Sequence, residues 1–343
     1  VKAVRLLTLA VLVIGGFAGY RLASPYQGFQ GETFVNLPRG TSTSAMADLL
    51  VQAGVIRGRA DFLAARLISQ RRVLQAGEYR FNRPATPLGV VDRIARGDIF
   101  YYELLVPEGK NMFDIAAAAE QLGLFKAGQF LAAARDPHLI RDLDPQAPTL
   151  EGFLFPDTYK LGRQTTPEDL CRIMTGKFRE AWKSRQRGTN AQDSAQNNTG
   201  DNSRDNAGVH RTITLASLVE KEGKLPAERT KIAAVFENRL RIGMKLDCDP
   251  TTIYAALLDG RYRGVIHRSD LDSDNLYNTY RHVGLPPGPI ANPGLAAVRA
   301  VEAPEPSDAL YFVARPDGSG AHEFSSTIAR HQDAVEKYRR ANR

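Results

Sequence analysis

Two acids one residue apart raise the first chemical question in this chain, in Ala216-Ser-Leu-Val-Glu-Lys-Glu-Gly223. On a helix that turns about 100° per residue, Leu215, Leu218, Val219 and Glu222 fall within one narrow arc, and Glu220 points almost the opposite way. Glu220 is placed to pair with Lys224 at i,i+4 on a wet face. Glu222 has no such setting, because it shares a stripe with hydrophobes. A carboxyl there is partly desolvated, which raises its pKa towards the range where it donates a proton near neutrality. The alternative is a helix-end charge that reaches solvent, since Gly223 follows at once. Pattern alone leaves both readings open.

The elements that must position these acids lie on both sides. The first half of residues 212–240 reads as an amphipathic helix. Downstream, Asp247-Cys-Asp-Pro-Thr-Thr-Ile-Tyr254 predicts a helix start, with Asp249 as N-cap and Pro250 at the first helical position. Leu276-Tyr-Asn-Thr-Tyr280 precedes a segment, Gly284 to Gly294, too rich in Pro and Gly for helix or strand. Such rigid turns either grip an extended polymer through fixed backbone groups or simply route the chain. Ala309–Val313 and His322–Phe324 flank Pro316-Asp-Gly-Ser-Gly320 as a hairpin. A terminal helix over 327–340 has Ile328, Val335 and Tyr338 compatible with one buried side. Between Ser184 and His210 the chain is Asn/Asp/Ser/Gln/Gly-rich with almost no apolar residue, which predicts a disordered surface insertion.

Towards the N-terminus the pattern repeats. Phe34-Val-Asn-Leu-Pro-Arg-Gly40 leads into an apolar-periodic segment ending at Ala53-Gly-Val-Ile56. From Pro38 to Pro107, 69 residues on, Leu104-Leu-Val-Pro-Glu-Gly109 leads likewise to Leu122-Gly-Leu-Phe125. Each reads as strand, Pro-x-Gly turn and helix, with Gly at the helix C-terminus. Ala76–Phe81 then precedes Thr86-Pro87, as Glu151–Phe155 precedes Thr166-Pro167. Two related α+β units in tandem are expected rather than one continuous sheet. Before them, Leu6–Tyr20 is apolar and uncharged, and Ala3–Ala23 reaches bilayer-spanning length if Arg5 and Arg21 snorkel. An uncleaved membrane anchor is expected. A cleaved signal peptide is the alternative, although no A-x-A site follows the run. Either way the positive charges at the start predict that the remainder is exported.

With 343 residues and 43% hydrophobic content the chain has room for about two domains with real cores. A net charge of +7 favours an anionic partner. Nucleic acid is not expected, because no Lys/Arg run is interleaved with aromatics and no recognition motif occurs. Anionic lipid headgroups or a cell-wall polymer fit. Cys171 and Cys248 have no metal or redox spacing and the six histidines are scattered singly, so neither metal nor cofactor is predicted.

Five segments together carry a resemblance: LEGFLFPDTY (150–159), ASLVEKEG (216–223), VFENRLRIGMKLDCDPTTIY (235–254), YNTYRHVGLPPGPIANPG (277–294) and LYFVA (310–314). In order and spacing, and with the anchored N-terminus, the chain resembles the YceG-like endolytic murein transglycosylases, the MltG family, over nearly its whole length apart from the polar insertion. That resemblance implies an α+β fold with a transmembrane anchor at 1–24, a LysM-like α+β module at 25–102 and a catalytic domain at 103–343. It implies a single-pass protein of the bacterial inner membrane whose catalytic domain faces the periplasm. Expected partners are peptidoglycan glycan strands and cell-wall synthesis enzymes. The family's acid, the second Glu of the E-K-E trio, falls on Glu222, the residue the helical wheel selects. Gly223 departs from the small polar or apolar residue expected there. The implied reaction is cleavage between N-acetylmuramic acid (MurNAc) and N-acetylglucosamine (GlcNAc) without water, with Glu222 as acid and then base. Candidate grips on the sugars are Glu151, Asp157, Thr158, Asn238, Asp249, Thr251, Tyr277, Asn278 and Tyr280. Each has a bland alternative as a cap, a core tyrosine or a solvated acid. Two other functions stay open: a hydrolase pairing Glu222 with Glu151, Asp157 or Asp249, and a non-catalytic peptidoglycan-binding protein.

Overall fold

The structure, a computed structural model, describes the backbone of residues 2–69, 73–193, 202–223 and 225–341, and their side chains except at 2 and 186–207. Helix α1 (Lys2–Ala23) contains a stretch, Ala3–Ala23, long and apolar enough to cross a membrane. Its last turn is engaged differently. Leu22 packs on the core of the domain that follows, and both carboxylate oxygens of Asp61 accept from Arg21, the shorter bond being 2.7 Å.

The chain divides into two compact units, residues 1–102 with 160–163 and residues 103–159 with 164–343. In the first, β1 (Thr33–Leu37) is followed by α2 (Thr43–Gln52), α3 (Arg59–Ile68), β2 (Gly77–Phe81) and α4 (Pro87–Arg96). β1 and β2 pair antiparallel, from Thr33 opposite Phe81 to Leu37 opposite Gly77. Strand alternation sends Val35, Leu37, Tyr79 and Phe81 inward, where they meet Leu50, Phe62 and Ile94.

The same order then recurs: β3 (Tyr102–Leu105), α5 (Met112–Gln121), α6 (Ala127–Ala134), β4 (Thr158–Leu161), paired with β3, and α7 (Pro167–Asp193). The expected repeat is therefore present, and it extends to individual bonds. Thr41 N donates to Pro38 O as Lys110 N does to Pro107 O. Helices α2 and α5 both close on a left-handed glycine, Gly54 (φ 67°) and Gly123 (φ 74°), a conformation that side chains with a Cβ avoid. In one respect the expected alignment fails. The second strand of the second copy is Thr158–Leu161, not Glu151–Phe155. Gly152, at φ 88°, turns the chain there, and a Cβ on it would lie 2.5 Å from Pro289 Cγ.

Beyond the repeat come α8 (Asn202–Glu222), α9 (Arg229–Arg241), α10 (Asp249–Leu258), α11 (Arg268–Leu271) and α12 (Leu295–Glu302). The expected hairpin follows, with β5 (Tyr311–Ala314) antiparallel to β6 (His322–Ser325), and the chain ends in α13 (Ile328–Ala341). Every residue of α8 from Ile213 to Val219 is buried, under α9, α10 and α12. The stretch predicted to be disordered is helical on both sides, since α7 runs to Asp193 and α8 begins at Asn202; residues 194–201 lie outside the described ones. Packing explains the difference. Phe178 and Trp182 anchor α7, Val209 and Ile213 anchor α8, and a helix already nucleated extends cheaply even through polar residues. On α13 the buried residue is Ala334, whereas Ile328, expected on a buried side, is 51% exposed.

Candidate active site

Glu222 is the last residue of α8, and Cys248 comes immediately before α10. The Cys248 thiol donates to Glu222 Oε1 at 3.3 Å. Burial pushes the Glu222 carboxyl above its ordinary range, and the negative charge of Asp249 adds to the shift. The thiol bond and the nearby His322 and Lys221 pull the other way. Both protonation states of this group thus have support. His322 is itself fixed, its backbone N donating to Glu228 Oε1 at 2.9 Å and its Nδ1 lying 2.7 Å from Oε2.

Glu222 opens on a cavity of about 620 Å³ whose lining includes Asp249, Tyr280, Asp247, Arg239, Tyr311, His331 and Arg339. The Tyr280 hydroxyl donates to Asp249 Oδ1 at 2.6 Å, and burial raises the phenol's pKa. Asp249 is the first residue of α10, one place later than its predicted cap position. Arg239 ties the wall together, donating to Leu310 O at 2.6 Å and Leu246 O at 2.8 Å. Beside it Asp247 adopts a left-handed φ of 48°, unusual for a residue other than glycine, with Oδ2 3.5 Å from Arg239.

Glu220 is not on a wet face. Its side chain is 5% exposed, accepting from Arg229 Nη2 at 2.8 Å and from Gly294 N, at the start of α12, at 3.1 Å. The amphipathic wheel fails here because α9 and the start of α12 cover the side it assigns to water, while Lys221 stays exposed in the same turn. Lys224, the expected partner, lies outside the described residues. Gly223 is explained by space: a Cβ would come within 2.9 Å of Val219 O and 3.1 Å of Arg229 Cγ.

Of the nine candidate grips, Asp249 and Tyr280 share the cavity with Glu222, and the other seven do not line it. Glu151 is fully buried, with Oε2 accepting from Met112 N at 2.9 Å and Oε1 from Asn292 Nδ2 at 2.8 Å. Asn278, also buried, donates to Leu271 O and Ser273 O. Thr251 donates to Cys248 O at 2.6 Å and Tyr277 packs on Tyr254. Asn238 holds Ser307 O and Ala309 O. Asp157 pairs with Lys177 at 3.2 Å beside the exposed Thr158 of β4. Glu151, Asn238, Thr251 and Asn278 spend these bonds within the fold. The Pro/Gly segment before Gly294 likewise routes the chain, since it is mostly buried and Asn292 Oδ1 accepts from both Gly152 N and Leu154 N. Arg239, Tyr311, His331 and Arg339 were missed. Arg239 and Tyr311 lie within the segments that carry the resemblance without being singled out there, and the signal for His331 and Arg339 is their spacing with Val335 along one face of α13.

An N-terminal helix long and apolar enough to cross a membrane, a doubled strand–helix–helix–strand–helix unit and a half-buried acid opening on a cavity define the class. Residues 35–337 match the model of the YceG-like family, and the chain belongs to that family. It is 32% identical over 349 residues to the endolytic murein transglycosylase of Bacillus subtilis, covering 95% of this chain and 91% of that protein. The protein of the same name from Streptococcus pneumoniae is 29% identical, covering 90% of this chain and 60% of its own length. A crystal structure of a YceG-like protein from Listeria monocytogenes superposes with a TM-score of 0.56 at 29% identity, over 88% of this chain and 98% of that one.

Proposed function

We propose that this chain is an endolytic murein transglycosylase of the bacterial inner membrane. In this reading residues 1–24 are a single-pass anchor, residues 25–102 a LysM-like module and residues 103–343 a catalytic domain facing the periplasm. The substrate is nascent peptidoglycan. Protonated Glu222 gives its proton to the glycosidic oxygen as the bond between MurNAc C1 and that oxygen breaks. The C6 hydroxyl of the same MurNAc then closes on C1, and the Glu222 carboxylate takes its proton. The products are a 1,6-anhydroMurNAc end and a free GlcNAc hydroxyl, with no water consumed. One carboxyl suffices, unlike the two needed for ordinary glycoside hydrolysis.

The observation that carries this reading is the environment of Glu222. Burial and Asp249 favour the proton-holding form needed first, and the Cys248 thiol supports the carboxylate needed second. A second reading draws on Asp249, which lines the same cavity and could direct a water as in a muramidase-type hydrolase. Its carboxylate is already engaged by the Tyr280 hydroxyl, which favours the lyase.

Mass spectrometry of digested nascent glycan tests both. Wild-type protein is expected to leave anhydro ends, whereas reducing MurNAc ends alone would establish the hydrolase. Glu222→Gln is expected to keep the fold and to lose activity by about 10²-fold or more, the scale of general acid–base catalysis. Wild-type rates from that variant would remove Glu222 from the mechanism. Glu220→Gln is expected to act on stability instead, because it weakens the partly buried pair with Arg229.

A further inference from the structure

The walls of the Glu222 cavity differ in charge. On the near side Glu222 is pushed towards its neutral form and Asp249 accepts the Tyr280 hydroxyl. A second group of lining residues, the far side, is basic and aromatic, with Asp247 Oδ2 3.5 Å from Arg239 as its acid. There α13 presents Ile328, His331, Val335 and Arg339 as one helical stripe. The Tyr311 ring stacks on His331, with centroids 5.1 Å apart and planes at 21°, and the Arg239 guanidinium lies 5.3 Å from its centroid. His331 Nδ1 is enclosed and has no hydrogen-bond partner among the described residues. Arg340 pairs with Glu336 at 3.0 Å, yet its neighbour Arg339, which lines the cavity, has no acid partner among the described residues.

A neutral sugar can stack on the rings and accept hydrogen bonds from such a wall, but it leaves the positive charge of Arg339 without a counterpart. GlcNAc carries no charge, and the lactyl carboxyl of MurNAc is consumed in the amide that attaches the peptide stem. Anionic groups on the strand are therefore the carboxylates of the stem. An unpaired arginine at the cavity rim matches a carboxylate in both charge and fork geometry. We propose that the far wall is a subsite for a stem carboxylate, with Arg339 as its specificity-determining residue, so that the protein selects glycan that still bears peptide. This rests on the murein-cleaving reading and adds to it which strands are taken.

The test is binding, read by fluorescence anisotropy with the full chain in detergent micelles, carrying Glu222→Gln so that the ligand survives. The probes are end-labelled glycan oligomers with intact stems and the same oligomers with their stem carboxylates capped as methyl amides, because stripping the stems with an amidase would free the lactyl carboxyl of each MurNAc. Oligomers with free stem carboxylates are expected to bind about tenfold tighter, or 1.4 kcal/mol. Adding Arg339→Gln should bring the ratio of the two affinities towards one, and Arg339→Lys should restore part of it. A ratio near one before Arg339 is changed, or a ratio that Arg339→Gln leaves unaltered, overturns the subsite. Binding does not depend on turnover. Stem-selective binding by a chain that cleaves nothing with Glu222 intact would sink the transglycosylase reading and keep the subsite, whereas stem-blind binding with full cleavage would sink the subsite alone.

Discussion

The two copies of the strand–helix–helix–strand–helix unit begin alike and end in different uses. In the first, α3 reaches β2 across a short link and the apolar faces close on one another. Its Pro38-Arg-Gly40 turn is exposed. In the second, residues 135–157 separate α6 from β4, and that added chain carries the buried Glu151. The equivalent turn is also held from outside. Gly109 N donates to Asn292 O at 2.9 Å, and Gly109 O accepts from Lys221, the residue before Glu222, at 3.3 Å. One local pattern thus yields a self-contained module and a brace for the end of α8, according to what the rest of the chain delivers to its turn and its loop.

The largest expected effect tests that brace. Asn292 is fully buried, and its side chain satisfies two amides and a carboxylate on the 151–154 segment and the carbonyl of Lys110. Asn292→Ala would strand these groups in the interior at about 1–3 kcal/mol for each one left unpaired. We expect a loss of at least about 3 kcal/mol in denaturant unfolding of the second unit, with activity falling in parallel as the end of α8 loosens. A loss no larger than that of a surface cap would mean that the second copy stands as independently as the first.

A smaller effect comes through pH. Burial pushes Glu151 up to about 8. An unfolded chain releases this proton near the ordinary carboxylate value of about 4.5, whereas the folded chain keeps it until about 8. Between those values the folded state binds more protons, so stability is greatest below the unfolded pKa and falls as pH rises through the window. The slope approaches about 1.4 kcal/mol per pH unit. Urea unfolding at several pH values should show this decline and show it flattened in Glu151→Gln. The same decline in both proteins would assign it to another group.

What could be read from the sequence divides along the same line as the two copies. The turn prolines, the closing glycines and the Thr-Pro helix starts act within a few residues, so their spacing revealed the repeat. The placement of Glu222 beside hydrophobes is legible because Leu215, Leu218 and Val219, all buried, lie within two helical turns of it. Glu220 was misread because its partners, Arg229 and Gly294, belong to segments that enclose α8 from the side the wheel assigned to water. Glu151 and Asn292, 141 residues apart, carry no mutual signal in a single sequence. Neither do Arg239, Tyr311 and Arg339, which meet only where α9, β5 and α13 converge on the cavity.

The smallest effect asks whether the copies share their local physics. Thr86 Oγ1 accepts from Gly89 N at 3.0 Å at the start of α4, and Thr166 Oγ1 accepts from Asp169 N at 3.1 Å at the start of α7. Pro follows each threonine, where its missing N–H costs nothing. Only the second cap is reciprocal, because Asp169 Oδ2 accepts from Thr166 N at 3.2 Å. Thr86→Ala and Thr166→Ala should each cost about 1 kcal/mol, with Thr166→Ala the larger because it also removes the hydroxyl bonded to Asp169. Hydrogen exchange of first-turn amides reads each helix separately, so the effects need not be inferred from a shared melting curve. Serine at either site should restore most of the protection. If alanine at 86 left α4 untouched while alanine at 166 opened α7 by several kcal/mol, the two starts would be alike in letters alone, and the repeat would be a likeness of shape without a common energetic basis.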